Sequence, residues 1–520
     1  MKKQILTTII ISAAWASAMA QTTAAPRLVV GIMVDQLRSD YLNAFMPLYG
    51  EGGFKRLLDE GKICSNVQYQ HAPVDRASAI ASVVTGTVPY NHGIIAEEWM
   101  SRSELHSNYC VDDSKYRGVS TYDCSSPKHL LVSTIGDELK YATKGKAKVF
   151  SVAPYREAAI LAAGHAADWA MWIDNESGRW AGTTYYSAMP SWIKYLESGS
   201  IAERIQSVVW KPESEYSGSY NYYHAAAQKP FTHKFSGNGQ YKRFKSSALV
   251  NEEVNKAVSH CLENGNAGLD EVTDFISVCY YAGNFQTETG RGITIELQDT
   301  YKRLDTEIEK LLKKIDTTVG LDKTLIYLTS TGYDETEPVT EMAKYNIPTG
   351  DFNINRCATL LNMYLCAMYG NEQYVQSYFG NQFYINHKVL EQKQLKLAEV
   401  LEHCEDFLFQ FSGVRDVFTA QRITQGAWTP GISSIRNGFN PKCSGDILIQ
   451  VSPGWNLVDE GRGTSKAQRD SFFEFPLIFF GYTIKHEKVD TPLTVDCIAP
   501  TVAHHIRIRA PNASSTPPLF

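Results

Sequence analysis

The sequence has little of what a membrane protein, a nucleic-acid-binding protein or a small metal-binding module needs. After residue 20 no apolar run is long enough to cross a bilayer, which takes about 20 residues. Lysine and arginine number 50 against 56 Asp and Glu, and the formal net charge of −6 leaves no basic face for nucleic acid or an anionic membrane surface. No two of the ten cysteines are spaced C-x-x-C, which argues against a zinc ribbon or a thioredoxin-like motif.

What remains is the composition of a large globular protein. Hydrophobic residues make up 43% of the chain and charged residues 20%, which is typical of folded domains. Repeats and low-complexity tracts are absent. A chain of 520 residues is too long for one ordinary core, so the length predicts a large α/β domain that carries an insertion.

The N-terminus has the pattern of a secretory signal peptide over residues 1–20. Two lysines follow Met1, an apolar run extends over Ile5–Ala14, and Ala18-Met19-Ala20 forms an A-x-A cleavage site. The alternative, a membrane anchor, is disfavoured because the run is too short for about 30 Å of hydrocarbon. We therefore expect a periplasmic or secreted protein with no transmembrane segment after cleavage.

The cysteines lie in two kinds of sequence. Cys110 and Cys124 share one polar segment, and in an exported protein they are the pair that we expect to form a disulfide. Cys279, Cys357 and Cys366 lie in apolar runs, where a buried free thiol is expected.

Short apolar runs that end in polar or turn residues predict the strands of a buried sheet. The first run, Leu28–Val34, is rich in valine and isoleucine and ends at Asp35, before a helical pattern. Strands that alternate with helices predict a doubly wound, mostly parallel α/β sheet with helices on both faces. Ligands bind such sheets at the carboxyl ends of the strands. Similar runs occur at Lys148–Val152, Phe275–Cys279, Leu325–Leu328 and Pro476–Phe480.

Shifts in composition divide the chain further. We predict a first core segment over residues 26–344, with a Tyr-, Ser- and Gly-rich surface insertion at about 187–268. A small α+β lobe is predicted over residues 345–439, with a strand at Tyr384–Asn386, a helix at Val389–Cys404 and a strand at Val414–Thr419. Residues 440–520 return to the core.

Eight motifs in a fixed order resemble one known family. They resemble the phosphate-irrepressible alkaline phosphatases of bacteria, relatives of the nucleotide pyrophosphatases/phosphodiesterases in the alkaline phosphatase superfamily. Each motif alone is weak evidence, but together they span nearly the whole mature chain. The motifs are Val30–Tyr41, Tyr49–Leu58, Thr85–Ile94, Ile160–His165, Glu296–Asp305, Ser444–Asp446, Pro476–Gly481 and Asp496–Thr501.

The resemblance implies a metal-assisted reaction. In the family, two zinc ions hold the attacking and leaving oxygens of a phosphoryl group. A threonine or serine hydroxyl attacks phosphorus, and water later hydrolyses the phospho-enzyme. Six Asp and His side chains hold the two metals.

Of the first two family positions, one is kept in this sequence and the other is changed. Asp35 matches a zinc ligand, although a carboxylate at this place can also cap the following helix. The nucleophile position falls on Arg76, whose guanidinium has no lone pair and cannot be deprotonated in a protein. Ser78 is an alternative nucleophile, but residues two apart on a helix face different ways.

The other family positions are also changed. The resemblance places Asn284 and Glu288 at one zinc site together with Ser465, and Thr331 and Gly332 at the other with Asp35. Glu474 replaces a further family histidine. At the positions that contact the phosphoryl group stand Glu97, Tyr155 and Glu157, and carboxylates there are expected to repel a phosphate dianion.

From these substitutions we expect a pseudo-phosphatase with no bound cofactor. It would act as a binding or scaffold protein for an envelope protein or a surface ligand. The alternative is a metal-dependent phosphomonoesterase or phosphodiesterase with a non-standard site, with one hard cation such as Mg²⁺ or Ca²⁺ at Asp35, Asn284 and Glu288.

Arg76 has an expected role if the metals are lost. Without metals, Asp35 and Glu288 would lack a counter-charge in a partly buried cleft. We expect the guanidinium to fork to Asp35, and its reach could extend to Glu288, which would make a charge-balanced plug. The alternative is that Arg76 points outward into solvent.

Overall fold

A computed structural model describes residues 24–186, 190, 192–193, 201–213, 231–285, 294–333, 348–426, 429–468 and 473–520. The predicted signal peptide lies outside these residues. In the part of the chain that is described, no helix is both long enough and apolar enough to cross a membrane.

The strands follow the apolar runs of the sequence. They are β1 Leu28–Asp35, β2 Lys62–Cys64, β3 Val67–Gln68, β4 Glu98–Met100, β5 Ser107–Tyr109, β6 Gly118–Val119, β7 Val149–Val152, β8 Trp169–Ile173, β9 Trp180–Thr183, β10 Val209–Trp210, β11 His233–Lys234, β12 Asp274–Tyr281, β13 Thr324–Ser330, β14 Asp351–Asn353, β15 Val375–Phe379, β16 Gln382–Ile385, β17 Val414–Thr419, β18 Ile447–Val451, β19 Asn456–Asp459, β20 Thr464–Ala467, β21 Leu477–Gly481, β22 Glu487–Val489 and β23 Leu493–Thr494.

Helices connect these strands. They are Ser39–Ala44, Phe54–Glu60, Arg76–Thr85, Pro89–His92, Ile135–Ala142, Arg156–Ala163, Ile201–Ser207, Gln240–Lys245, Val250–Glu263, Ile295–Thr318, Ile354–Tyr369, His387–Gln392, Leu397–Leu408, Ala420–Gln425, Pro430–Gly438 and Ile498–His505. Short 3₁₀ turns occupy Met46–Leu48, Leu321–Lys323 and Val495–Cys497.

The main sheet confirms the predicted doubly wound α/β fold. Its order is β22-β2-β21-β13-β1-β12-β7-β8-β9-β6. The central strands β13, β1, β12, β7 and β8 are parallel, whereas β21 and β9 join this block antiparallel. All eight residues of β1 are buried, which explains its continuous apolar run. The parallel register brings the carboxyl ends of the central strands to one edge of the sheet.

Helix Val250–Glu263 lies inside the range expected to be a surface insertion. It packs against β12 and against the long helix Ile295–Thr318, and most of its apolar side chains are buried. This part of residues 187–268 therefore contributes to the main core.

The lobe has its own sheet, β15-β16-β18-β17, and its own hydrophobic cluster. Strand β18 comes from Ile447–Val451, beyond residue 439 where the lobe was expected to end. The single predicted helix is two helices, His387–Gln392 and Leu397–Leu408, since Gln394 between them has a left-handed φ of 56°.

A hairpin of the main domain, β4 and β5, contacts the lobe. At its turn Arg102 forms an ion pair with Asp446 at 3.0 Å and donates to the Ser444 carbonyl. Glu98 on β4 pairs with Arg462. These contacts fix the lobe to the hairpin.

The predicted Cys110–Cys124 disulfide is wrong, because both cysteines are free thiols in the structure. Cys110 is fully buried, whereas the partly exposed Cys124 directs its sulfur at the Tyr122 carbonyl. Cys279 and Cys357 are buried free thiols as expected, and Cys366 is a half-buried one.

Gly31 tests the packing between β1 and β13. A Cβ at this position would lie 2.2 Å from the Tyr327 hydroxyl, deep in the sheet core. We expect Gly31→Ala to lower the free energy of unfolding by about 1–3 kcal/mol through overpacking. In the matched control Gly431→Ala, the new Cβ meets nothing within 4 Å, so stability should stay or rise by up to about 1 kcal/mol. Urea unfolding measures both, and equal effects would contradict the described packing.

Candidate active site

The candidate site begins at Asp35, the last residue of β1. It is fully buried at the carboxyl edge, in register with Tyr281 of β12. One carboxylate oxygen accepts from the Thr331 hydroxyl at 3.0 Å and the other from Arg76 at 2.9 Å. The following helix starts after Arg38 with no side-chain cap, so Asp35 is not its N-cap.

Arg76 is placed by the start of helix Arg76–Thr85. Asp75 caps this helix: its carboxylate accepts from the Ser78 amide, while the Ser78 hydroxyl accepts from the Asp75 amide. Ser78 also donates to the Asp75 carbonyl and is fully buried. Its hydroxyl is thus committed to the capping box, which removes it as an alternative nucleophile.

The guanidinium of Arg76 holds three carboxylates. Nη1 contacts Asp35 at 2.9 Å, Nη2 contacts Glu97 at 2.8 Å and Nε contacts Glu157 at 2.5 Å. Nη1 also donates to the Tyr333 hydroxyl at 3.3 Å. The predicted pair with Asp35 is confirmed, and the outward alternative is wrong because Arg76 is 8% exposed.

The carboxylates that pair with Arg76 differ from those that the sequence predicted. Glu288 lies outside the described residues, whereas Glu97 and Glu157 come from the residues expected to repel phosphate. In the folded chain their charge faces Arg76, since the Glu97 amide donates to Asp75 and helix Arg156–Ala163 packs against helix Arg76–Thr85. We refer to Asp35, Glu97, Glu157 and Arg76 as the Arg76 cluster.

The protonation equilibria of the cluster follow from burial and from Arg76. Burial raises the pKa of Asp35, and the nearby guanidinium offsets only part of that rise. Burial also raises the pKa of Glu97 to about 8 against the opposing effect of Arg76, although a third of this side chain is exposed. For Glu157, burial is outweighed by Arg76 and by the Tyr109 hydroxyl, so its pKa is lowered.

Aromatic side chains and a second cation complete the site. The Arg76 guanidinium carbon lies 3.6 Å from the centroid of the Tyr155 ring, and Lys245 Nζ lies 4.9 Å from the same centroid. Tyr109 donates to Glu157 at 2.5 Å. Neither Lys245 nor Tyr109 belongs to a recognisable motif, so no sequence pattern pointed to their place in the site.

The other expected metal positions are not joined into one site by the described contacts. The Asn284 side-chain oxygen accepts from Thr294. Ser465 lies exposed on β20, in a different sheet. At Gly332, whose φ is 66°, a Cβ would lie 2.5 Å from the Tyr69 ring. Tyr69 itself donates to the Ser330 carbonyl, so position 332 has no room for a ligating side chain.

Comparison with known proteins decides the family. A sequence model described as type I phosphodiesterase / nucleotide pyrophosphatase matches residues 29–472. The chain belongs to this family. It is a member of the nucleotide pyrophosphatase/phosphodiesterase-like branch of the alkaline phosphatase superfamily.

Several named proteins are similar to the chain over nearly its full length. Alkaline phosphatase PafA of Elizabethkingia meningoseptica is 28% identical, over 100% of this chain and 98% of the relative. A protein of Myroides odoratus named calcium-transporting ATPase is 30% identical over 95% and 94%. Alkaline phosphatase PhoV of Synechococcus elongatus is 29% identical over 95% and 92%. The crystal structure of PafA superposes with a TM-score of 0.81, covering 96% of this chain and 99% of PafA.

These findings contradict two predictions from the sequence. The expected loss of activity and scaffold role are wrong, because full-length relatives are named alkaline phosphatases. The expected absence of a cofactor is contradicted too, because the family to which the chain belongs is metal-dependent. The substitutions remove one set of donors, but they do not exclude another set of groups in the same cleft.

The described residues do not fit the two-zinc centre of the family. Asp35 is bound by Arg76 and Thr331, and Gly332 has no side chain to offer. Within the described ranges, no three His, Cys, Asp or Glu side chains are grouped to hold a metal ion. The donor set of this chain therefore differs from the arrangement that the resemblance implies.

Removal of Arg76 should unbalance the buried carboxylates. We expect Arg76→Met to cost about 3–5 kcal/mol at neutral pH, because Asp35 and Glu157 would keep a buried charge without a counter-charge. Loss of the guanidinium would raise the folded-state pKa of Asp35 further and would remove the main effect that lowers the pKa of Glu157, so the loss of stability should shrink as the pH falls. The control Arg56→Met breaks the exposed pair with Glu60 and should cost under about 1 kcal/mol. Chemical denaturation at several pH values measures this, and equal losses would contradict the described ion pairs.

Proposed function

We propose that this chain hydrolyses phosphoric esters, as a phosphomonoesterase or phosphodiesterase. The observation that carries the proposal is its similarity along the full length to proteins named alkaline phosphatases, at 28% and 29% identity. The matching fold supports it, since the PafA structure covers 96% of the chain. The reaction would take place at the carboxyl edge of the main sheet, where Asp35 and Arg76 lie.

The residue at position 76 favours attack by water. Arg76 cannot form a phospho-ester, and the hydroxyl of Ser78 is held in the capping box with Asp75. Water oxygen would form the new bond to phosphorus while the bond to the ester oxygen breaks. The leaving alcohol takes up a proton, and inorganic phosphate or a monoester is released.

The location and partners of the chain are proposed on the sequence alone. The signal-peptide pattern of residues 1–20 supports export to the periplasm or beyond. An envelope protein or a surface ligand as partner stays a prediction.

Turnover should depend on Asp35. We expect the purified protein to hydrolyse a chromogenic phosphate monoester or diester, and Asp35→Asn to lower kcat/KM by about 100-fold, the scale for removing one preorganised group from an active site. Asp59→Asn changes an exposed aspartate and should leave the rate unchanged. Both variants pass through the same purification, so a contaminating phosphatase would give equal rates in all three preparations. That outcome would contradict the proposal.

A single displacement should leave no covalent intermediate. Protein quenched during turnover is expected to show no added phosphate by intact-mass measurement, because position 76 lacks a nucleophile. A phosphorylated peptide would overturn this expectation and would identify the nucleophile.

Metal removal should abolish turnover. Membership of a metal-dependent family implies a bound metal ion. Dialysis against a chelator should lower the rate by more than about tenfold, and one of Zn²⁺, Mg²⁺ or Ca²⁺ should restore it. Elemental analysis before and after dialysis identifies the ion. An unchanged rate with metal-free protein would contradict the prediction.

A further inference from the structure

Lys245 is a buried cation at the edge of the sheet where the candidate site lies. It is the last residue of helix Gln240–Lys245 and is 2% exposed. Its ammonium donates to the Ile173 carbonyl at 3.1 Å. Ile173 ends β8, and β8 runs parallel to β7, so this carbonyl lies at the carboxyl edge. Asp35 lies at the same edge, at the end of β1.

The hydrogen bonds of Lys245 leave part of its ammonium unused. An ammonium has three donors. Among the described residues, it donates one hydrogen bond and contacts the Tyr155 ring, and no carboxylate forms an ion pair with it. A buried charge with so few partners is costly. Burial accordingly lowers the pKa of Lys245 to about 8, against the opposing effect of Glu157.

Two other cations of low exposure are paired with carboxylates. Arg76 contacts three carboxylates. Lys140, whose side chain is 11% exposed, forms an ion pair with Asp168 at 2.7 Å. Lys245 differs from both, and its unused donors lie beside the candidate site. This combination is what a bound anion would require.

The surroundings favour an anion near Tyr155. Arg76 and Lys245 contact the same ring, so two positive charges meet there. Glu157 is the carboxylate that acts most strongly on Lys245, but its two oxygens accept from Arg76 and Tyr109, which reduces its repulsion of an anion. Asp174 and Asp123 are the other carboxylates that act on Lys245.

We propose that Lys245 binds an oxygen of the phosphoryl group of the substrate, as a second cation beside Arg76. The proposal rests on the proposed function and names a substrate-binding residue for it. The ammonium would donate its unused N–H groups to the phosphoryl oxygens while it keeps its bond to Ile173. Release of the product phosphate would restore the underpaired state seen here.

Inorganic phosphate is the probe for the test. Isothermal titration of the full-length protein should give a dissociation constant that rises by about tenfold or more in Lys245→Met, the scale of one charge-assisted hydrogen bond. Lys245→Arg keeps the charge and should lose less affinity. Lys140→Met removes a lysine at the opposite edge, where Asp168 precedes β8, and should bind phosphate like the wild type.

Two further measurements, the melting temperature of the variant and the pKa of Lys245 in the wild type, show whether a lost phosphate affinity could come from misfolding. Removing an underpaired buried charge should leave the melting temperature of Lys245→Met equal or higher. In the wild type, NMR of ¹⁵N-labelled lysine side chains should show that phosphate raises the pKa of Lys245, because the anion favours the charged ammonium. This measurement needs no variant, so a failure of Lys245→Met to fold would not remove the test.

The outcomes separate this proposal from the proposed function. Equal phosphate affinity in Lys245→Met and wild type, an unchanged Lys245 pKa, or no phosphate binding by the wild type would each overturn it. Turnover with wild-type phosphate affinity in Lys245→Met would remove the role of Lys245 and leave the hydrolase intact. If phosphate binding depends on Lys245 but the wild type shows no turnover, the role of Lys245 stands and the proposed hydrolase function is wrong.

Discussion

The ion pairs of Arg76 are the interaction on which the rest of the site depends. Three carboxylates from separate parts of the chain converge on one guanidinium at the carboxyl edge of the sheet. Each would be costly in a buried place without that charge. The cluster therefore fixes how β1, the β4–β5 hairpin and helix Arg156–Ala163 meet.

The sequence was sufficient to predict most of the fold. The apolar run before Asp35 became β1, and the runs near Phe275 and Leu325 became the two strands beside it, because buried parallel strands carry a continuous apolar pattern. The helix break at Gln394 was missed, since a left-handed residue other than glycine leaves no clear mark in a sequence. The boundary of the lobe was also hard to place, because β18 joins its sheet from residues that follow in the chain.

The site was only partly predictable, for a different reason. The pairing of Arg76 with Asp35 followed from charge alone, because a buried carboxylate needs a partner. Glu157 lies 81 residues from Arg76 in the chain, and no local pattern connects the two. The sequence showed that position 332 has no ligand, but only the fold shows that the Tyr69 ring fills the space of one. The wrong prediction of lost activity came from the changed metal-ligand and nucleophile positions, which do not exclude another set of charged groups in the same cleft.

The β4–β5 hairpin contacts the Arg76 cluster on one side and the lobe on the other, so a movement on one side would affect the other. Glu97 and Tyr109 flank it on the side of the Arg76 cluster, and Arg102 and Glu98 bind the lobe through Asp446 and Arg462. A rotation of the lobe would thus pull on the strand next to Glu97 and change its distance from the guanidinium. A molecule that touches only the lobe would in this way alter the electrostatic potential of the cleft without entering it.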